Sequence, residues 1–566
     1  MTPSSARRDW LVDLALLTLL IGALFYLGLG GRALSVTSEA RYAELPREML
    51  LTNDWVTPRL NGVKYFEKPP LFYWIQAGVY GLFGYGSEFI VRAATAFVSL
   101  LCALMTYAAG RVLYGRLAGI FAAATLATGL LYFGLSRVVL LDMPVALFLA
   151  ATLFCFILGV HAGPGRRRSL YFYAMYAAAA GAVLTKGLIG MLLPGLVVLV
   201  WLALTGRWAL LKEARLITGT ILFLALAAPW HILAAERNHD FLRFYFIHEH
   251  FQRFTSTVHN RYQPPWFFLV AIIGGWLPWT LFMVQAAMHG LKGFWARRRE
   301  DGIELFLVLW IVLITGFFSI SDSKLIPYIM PVFPAIALLF GRYFAAAWEG
   351  AAVRGFRPAM LVLTALFVPL AATPFVLKMF AQGKLGATLN DAGNALWWFT
   401  AAMVVAFAAM VWAIRQPGNR RVIVAAFAGA ALICLAGNHI GNQYRDDSIK
   451  SLALSVKPDL TAASEVVSYR HYYQDLPFYL DRTVTVVDWL GELEFGTNAE
   501  EMPKRWMIDQ AEFWRRFAGT DPVIVFMRRE TWEGEMQKSP LRDRMVLIGT
   551  TRRNAVIANQ PLKKQD

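Results

Sequence analysis

The sequence predicts a polytopic α-helical membrane protein that ends in a small soluble α/β domain, and three observations carry that prediction. Only 16% of the 566 residues are charged, against roughly 25% in an ordinary soluble domain, and the mean hydropathy is +0.48. Apolar runs of about 20 residues, the length that crosses a bilayer, recur through the first 440 positions. The composition then changes. Residues 441–566 hold 18 Lys+Arg and 19 Asp+Glu, whereas 1–440 hold 36 and 19.

Taken in order, the apolar runs lie at 11–30, 89–110, 117–135, 142–160, 170–185, 188–204, 216–235, 266–288, 303–320, 325–347, 359–378, 393–414 and 422–440. The stretch 71–84 is shorter and suits an interfacial helix. With 71–84 on the surface, one set of loops gathers the cations: Arg7 and Arg8, Arg111 and Arg116, Arg166 to Arg168, Arg207, Lys212 and Arg215, Lys292 and Arg297 to Arg299, Arg354 and Arg357, Arg415, Arg420 and Arg421. The positive-inside rule makes that side cytoplasmic. About thirteen transmembrane helices then follow, with a cytoplasmic N-terminus read as an uncleaved first span. Residues 1–440 form the membrane domain, with outer loops at 31–88 and 236–265, and 441–566 form a soluble domain on the external side.

The net charge of +16 is therefore positional, and it points away from nucleic acid as a partner. Cys102, Cys155 and Cys434 all fall within apolar runs, so no disulfide framework is expected. In the tail, VTVVDW (484–489), PVIVFM (522–527), MVLIGT (545–550) and NAVIAN (554–559) read as strands and AEFWRRFAG (511–519) as a helix. No metal spacing, nucleophile elbow or phosphate loop occurs there, which leaves packing, acceptor recognition or partner contact as its role.

The polar residues that ask for an explanation gather on the external face. Thr37 or Ser38 can cap a helix in which Glu39 and Tyr42 share a face. Glu44 and Glu48 share another, which reads as a solvated helix side. Asp142, in LLDMP, stands at the mouth of a span. An acid there either complements the helix dipole or serves a partner in water. Lys186, in LTKG, is either a snorkelling lysine or a functional one. YFEKPP adds Tyr65, Glu67 and Lys68, HEHFQRF adds His248, His250 and Arg253, and SDSKLIPY adds Lys324 and Tyr328. Outer-face cations anchor phospholipid headgroups, or several of them converge on a phosphate. Glu67, His248 and His250 offer a divalent-metal reading; loop histidines hydrogen-bonded at the interface are the plainer one.

The order SEARYAE, YFEKPP, LLDMP, LTKG, HEHFQRF and KLIPYIMP resembles the GT-C class of membrane glycosyltransferases related to protein O-mannosyltransferases. Within that class it is most similar to the bacterial lipid A 4-amino-4-deoxy-L-arabinose transferases. The resemblance implies a GT-C fold, a sugar donor carried on undecaprenyl phosphate, lipid A as acceptor and reaction at the periplasmic face of the inner membrane. It implies no required cofactor beyond a possible divalent metal. Glu39 and Asp142 match the family's catalytic acids, and Lys68 and Arg253 the cations that hold the donor phosphate. Tyr42, Tyr65 and Tyr328 match hydroxyls of the substrate cavity, to which Lys186 and Lys324 are added. The first acid of the family's Asp-Glu pair is Ser38 here. A phosphate acceptor is already an anion and needs no general base, whereas a protein hydroxyl does, so Ser38 favours lipid A phosphate. The alternatives are transfer to a protein hydroxyl or another glycan and, in a different class, a lipid-linked sugar transporter, which predicts broken helices and repeats at mid-membrane.

Overall fold

The computed structural model describes residues 3–34, 38–252, 262–381, 386, 390, 392–443 and 448–562. The chain divides into two compact units, one of Met1–Gly31, Arg92–Ala235 and Leu242–Tyr444, the other of Arg32–Val91, Glu236–Phe241 and Arg445–Asp566.

The first unit is helical. Among the described residues, nine helices are long and apolar enough to cross a membrane: Arg7–Tyr26, Glu88–Tyr114, Asp142–His161, Leu216–Arg237, Ile303–Ile320, Ile326–Trp348, Phe356–Phe380, Ala395–Ile414 and Arg420–Gly441. The other four predicted runs are also helical but depart from one uniform span. The run 266–288 is two helices, Phe267–Gly275 and Trp279–Gly290, bent by 101°; Pro278, which lacks an N–H, falls at the break. The run 117–135 is broken at Gly129, which is extended (φ −67°, ψ 129°) between Arg116–Thr128 and Leu130–Leu135. Helix Arg166–Lys186 opens with three arginines, and Ile189–Thr205 has 17 residues.

Large apolar side chains such as Leu19, Ile217, Phe380, Trp397 and Trp398 are exposed on these helices, as a lipid-facing surface requires. Inside, Trp201, Trp279 and Trp310 are fully buried. Each donates its indole N–H, to Gly302 O at 2.8 Å, Thr128 Oγ1 at 3.0 Å and Pro331 O at 2.8 Å. Burying the ring is favourable only when that polar edge is satisfied. The buried Arg137 closes the C-terminal end of the first helix. It donates to Phe25 O at 2.5 Å, Leu27 O at 2.7 Å and Leu24 O at 3.2 Å, and to Asn438 Oδ1 at 3.0 Å. Leu24 and Phe25 lie in the last turn of that helix, where carbonyls lack a partner within the helix, and Leu27 follows it directly.

The second unit joins the first outer loop to the C-terminal residues. Helix Ser38–Thr52 leads to a short antiparallel hairpin, β1 (Arg59–Leu60) and β2 (Val63–Lys64), and to helix Leu71–Phe83. Thirteen residues rise only about 20 Å, too little to cross a bilayer core. Asn61 (φ 54°) and Gly62 (φ 75°) make the two-residue turn, for which Asn-Gly is the favoured pair. A Cβ on Gly62 would lie 2.9 Å from the Trp506 ring. Asn61 both donates to Val484 O and accepts from Val484 N at 2.8 Å, pinning the hairpin to the C-terminal residues.

The sheet has six strands: β3 (Glu465–Tyr469), β4 (Thr485–Val487), β5 (Met507–Ile508), β6 (Val523–Arg528), β7 (Val546–Thr550) and β8 (Asn554–Ala558), in the order β5-β4-β3-β6-β8-β7. The first four are parallel, and β8 pairs antiparallel with both β6 and β7. The four predicted strands are present; β3 and β5 are additional. The predicted helix is Gln510–Phe517, capped by Asp509, which accepts from Glu512 N at 2.8 Å. Its Phe513 and Phe517 enter the core with Val467, Val525 and Ile557.

Candidate active site

The predicted residues fall into two groups, one in each unit. In the first unit, Asp142 occupies the first turn of helix Asp142–His161 and Lys186 the last turn of helix Arg166–Lys186. Lys186 Nζ donates to Asp142 Oδ1, and each side chain is only 12% exposed. The same ammonium lies 4.3 Å from the centre of the Tyr328 ring. Three residues from separate parts of the sequence therefore form an acid, a cation and a phenol in one cluster. Lys186 is held by a carboxylate and a ring face rather than snorkelling, and Asp142 complements both the helix dipole and a cation. Lys324 is buried, donates to Gln263 O at 2.8 Å and lies 5.9 Å from the Tyr262 ring centre.

In the second unit, helix Ser38–Thr52 presents Glu39, whose side chain is fully buried. Arg32 grips it with Nη1 at 3.0 Å and Nη2 at 3.4 Å, the two-pronged geometry that suits a guanidinium to a carboxylate. Tyr42 stacks on Tyr73 with ring centres 6.1 Å apart. Arg41, which lies between Glu39 and Tyr42 in SEARYAE, donates Nη1 to Tyr65 Oη at 3.0 Å and Nη2 to Glu492 Oε1 at 2.7 Å, with Glu67 at 3.8 Å. Burial pushes the Tyr65 phenol up, so it remains neutral and accepts the Arg41 N–H. Lys68 Nζ donates to Glu67 O at 2.6 Å. One network thus contains Tyr65, Glu67 and a C-terminal acid, with Lys68 attached through the Glu67 carbonyl.

Glu44 and Glu48 are not on a solvated face: both are buried. Arg47, one turn on, donates Nε and Nη2 to Glu44 at 2.8 and 2.5 Å and Nη1 to Asp481 at 2.6 Å. Glu48 Oε2 accepts from Gly62 N at 2.9 Å. Burial, with the Glu44 carboxylate beside it, pushes Glu48 up to about 8, against the opposing pull of the Gly62 N–H and Arg47. Their i,i+4 spacing does place the two acids side by side on the helix. Their burial with Arg47, which reaches Asp481, 434 residues on, is a tertiary fact that no local pattern reveals.

Arg253 and Thr37 lie outside the described residues, as does the side chain of His250. His248, on the wide-turned π-helix Arg243–Gln252, is exposed, stacks on Phe244 with ring centres 5.1 Å apart and lies 3.6 Å from Glu249. Among the described residues, no group of three or more His, Cys, Asp or Glu is arranged to hold a metal. Sequence reasoning missed Arg32, Arg41 and Glu492. Arg41 had a signal, since a cation among Glu39, Tyr42 and the YFE tripeptide is more than a surface charge; Glu492 had none.

Residues 34–292 match the family model described as dolichyl-phosphate-mannose-protein mannosyltransferase, and residues 452–559 match the aminoarabinose transferase C-terminal domain. The chain is 30% identical to the undecaprenyl phosphate-alpha-4-amino-4-deoxy-L-arabinose arabinosyl transferase of Erwinia tasmaniensis, over 87% of this chain and 89% of that one. It is 36% identical to the corresponding transferase 2 of Sodalis glossinidius, where the match spans 59% of this chain and 60% of the relative. The fold superimposes on the crystal structure of ArnT from Cupriavidus metallidurans bound to undecaprenyl phosphate with a TM-score of 0.83 and 28% identity, over 96% of this chain and 97% of that one. The chain belongs to the family of undecaprenyl phosphate-alpha-4-amino-4-deoxy-L-arabinose arabinosyl transferases.

Proposed function

We propose that this protein transfers 4-amino-4-deoxy-L-arabinose from undecaprenyl phosphate to a phosphate of lipid A. The observation that carries the reading is the near end-to-end likeness to a transferase structure bound to undecaprenyl phosphate. The chain is a multi-pass protein of the bacterial inner membrane. Its charge asymmetry supports a cytoplasmic N-terminus, with the C-terminal residues and the reaction on the periplasmic side.

The chemistry is an inverting displacement. A phosphate oxygen of the acceptor attacks the anomeric carbon, the bond from that carbon to the undecaprenyl phosphate oxygen breaks, and the leaving group departs with the electron pair. The acceptor is already an anion, so no residue has to remove a proton. Charge grows on the departing phosphate, and Lys68 and Arg253 are assigned to it. Asp142 is suited to the substrate's ammonium or acceptor groups, because Lys186, itself seated over the Tyr328 ring, fixes its carboxylate at a helix mouth. Glu39, fully buried and gripped by Arg32, is the less substrate-facing of the two acids. Tyr42, Tyr65, Lys324 and Tyr328 are assigned to substrate contact.

Reconstitution tests the reaction. Purified protein in nanodiscs, given the aminoarabinose lipid donor and lipid A, should release undecaprenyl phosphate and add one aminopentose to lipid A. Donor consumption with unchanged lipid A, and the sugar on a protein instead, would favour a hydroxyl acceptor.

A further inference from the structure

Open sheets with parallel strands receive their ligands outside the carboxyl ends of the strands. Here β3, β4 and β6 run parallel, so residues 470–474 and 488–492 leave the sheet by one edge. Gln474 donates to Glu492 Oε1, and the same oxygen receives Arg41 Nη2 at 2.7 Å. What sits at this edge is a side chain from 451 residues earlier in the sequence. Glu492 is 16% exposed and Arg41 13%, so the pair is poorly screened by solvent. Arg41 uses its other terminal nitrogen on Tyr65, and Glu67 flanks it at 3.8 Å. A guanidinium is planar, so fixing one prong fixes the direction of the other.

We infer that Glu492 is a positioning residue that aims Arg41 at Tyr65 and Glu67, and through them sets segment 65–69, which carries Lys68. This gives the C-terminal residues a part in the reaction without substrate contact. Its kinetic consequence rests on the proposed transfer; its structural consequence does not. Other ties between the C-terminal residues and the first outer loop serve as controls. Lys450 pairs with Glu88, and that pair touches neither Arg41 nor segment 65–69.

The test uses the full-length protein in nanodiscs and four variants: Glu492→Gln, Glu492→Asp, Arg41→Lys and Lys450→Gln. Hydrogen exchange is followed on a peptide covering 65–69, and kcat and KM are measured with the undecaprenyl-phosphate donor. Glu492→Gln should exchange at least about five-fold faster over 65–69 and lose about ten-fold in kcat, with KM within about two-fold, because a misaimed Lys68 fails chiefly where charge develops. Glu492→Asp should recover part of both. Lys450→Gln should change neither. Arg41→Lys keeps the charge but loses the planar fork that fixes one prong relative to the other, so it should reproduce Glu492→Gln and stands in for it if that variant does not fold. Wild-type exchange over 65–69 in both Glu492→Gln and Arg41→Lys would overturn the inference. So would an equal effect from Lys450→Gln, which would mark a general docking role. If the wild type transfers no sugar, the proposed function fails while the exchange data still decide this point.

Discussion

Lys186 donates its Nζ to Asp142 Oδ1, joining the end of one apolar helix to the start of another 44 residues earlier, with the Tyr328 ring 4.3 Å beneath the ammonium. Removing one member of a mostly buried ion pair leaves the other uncompensated, at a typical cost of about 3–5 kcal/mol, whereas replacing both with apolar groups costs far less. Lys186→Met and Asp142→Leu should each lower the thermal unfolding midpoint, and the double variant should recover most of the loss. If Asp142 also serves the substrate, the double variant remains inactive although it is stable. Recovery of activity together with stability would reduce the pair to a staple.

Lys68→Ala should abolish transfer, by about 10²–10³-fold, while expression and elution in detergent match the wild type. Lys68→Arg keeps the cation and should retain a measurable fraction. Near-normal turnover in Lys68→Ala would remove this residue from the donor phosphate.

Glu48 makes stability depend on pH in an unusual direction for a carboxylate. The folded state holds its proton to about 8, whereas an unfolded glutamate releases it near 4.5. The folded state therefore binds more protons across that window, and stability falls as pH rises through it. Glu48→Gln cannot titrate, so its unfolding midpoint should gain on the wild type steadily between pH 5 and pH 8. Parallel profiles for the two proteins would show that Glu48 ionises normally.

Arg137→Met removes charged donors from the end carbonyls of the first helix and from Asn438. A hydrogen bond to a charged group is worth about 1.5–3 kcal/mol, so the variant should unfold several degrees lower. Its specific activity per folded molecule should stay near wild type, because Arg137 serves the fold. A large fall in kcat at unchanged stability would give it a direct part in the reaction.

Nine of the thirteen apolar runs are bilayer-length helices among the described residues, legible because such a stretch of hydrophobic residues has few other folds open to it. The breaks within two of the others were less so: Gly129 and Pro278 are visible as residues, but a 101° bend needs the packing around it. In the sheet, β3 escaped notice because EVVSYRHYY begins with an acid and continues into polar residues. Burial of the strand comes from β4 and β6 on either side. Asp142, Lys186 and Tyr328 stand in three separate motifs, and their meeting is a tertiary fact. For Arg41 and Arg47 the local acids Glu67 and Glu44 are within reach of the sequence, but the second partners, Glu492 and Asp481, lie more than 400 positions away. The Asn61-Gly62 turn, by contrast, is written locally, since Asn-Gly suits two successive positive-φ positions.

Mass spectrometry of lipid A from otherwise identical cells with and without this protein tests the central claim most directly. Lipid A from cells that contain it should carry species heavier by one or two aminopentose residues on phosphate, absent from the deletion strain and absent again when Lys68→Ala is supplied. Identical lipid A in all three strains, with the aminoarabinose lipid donor present, would contradict the account.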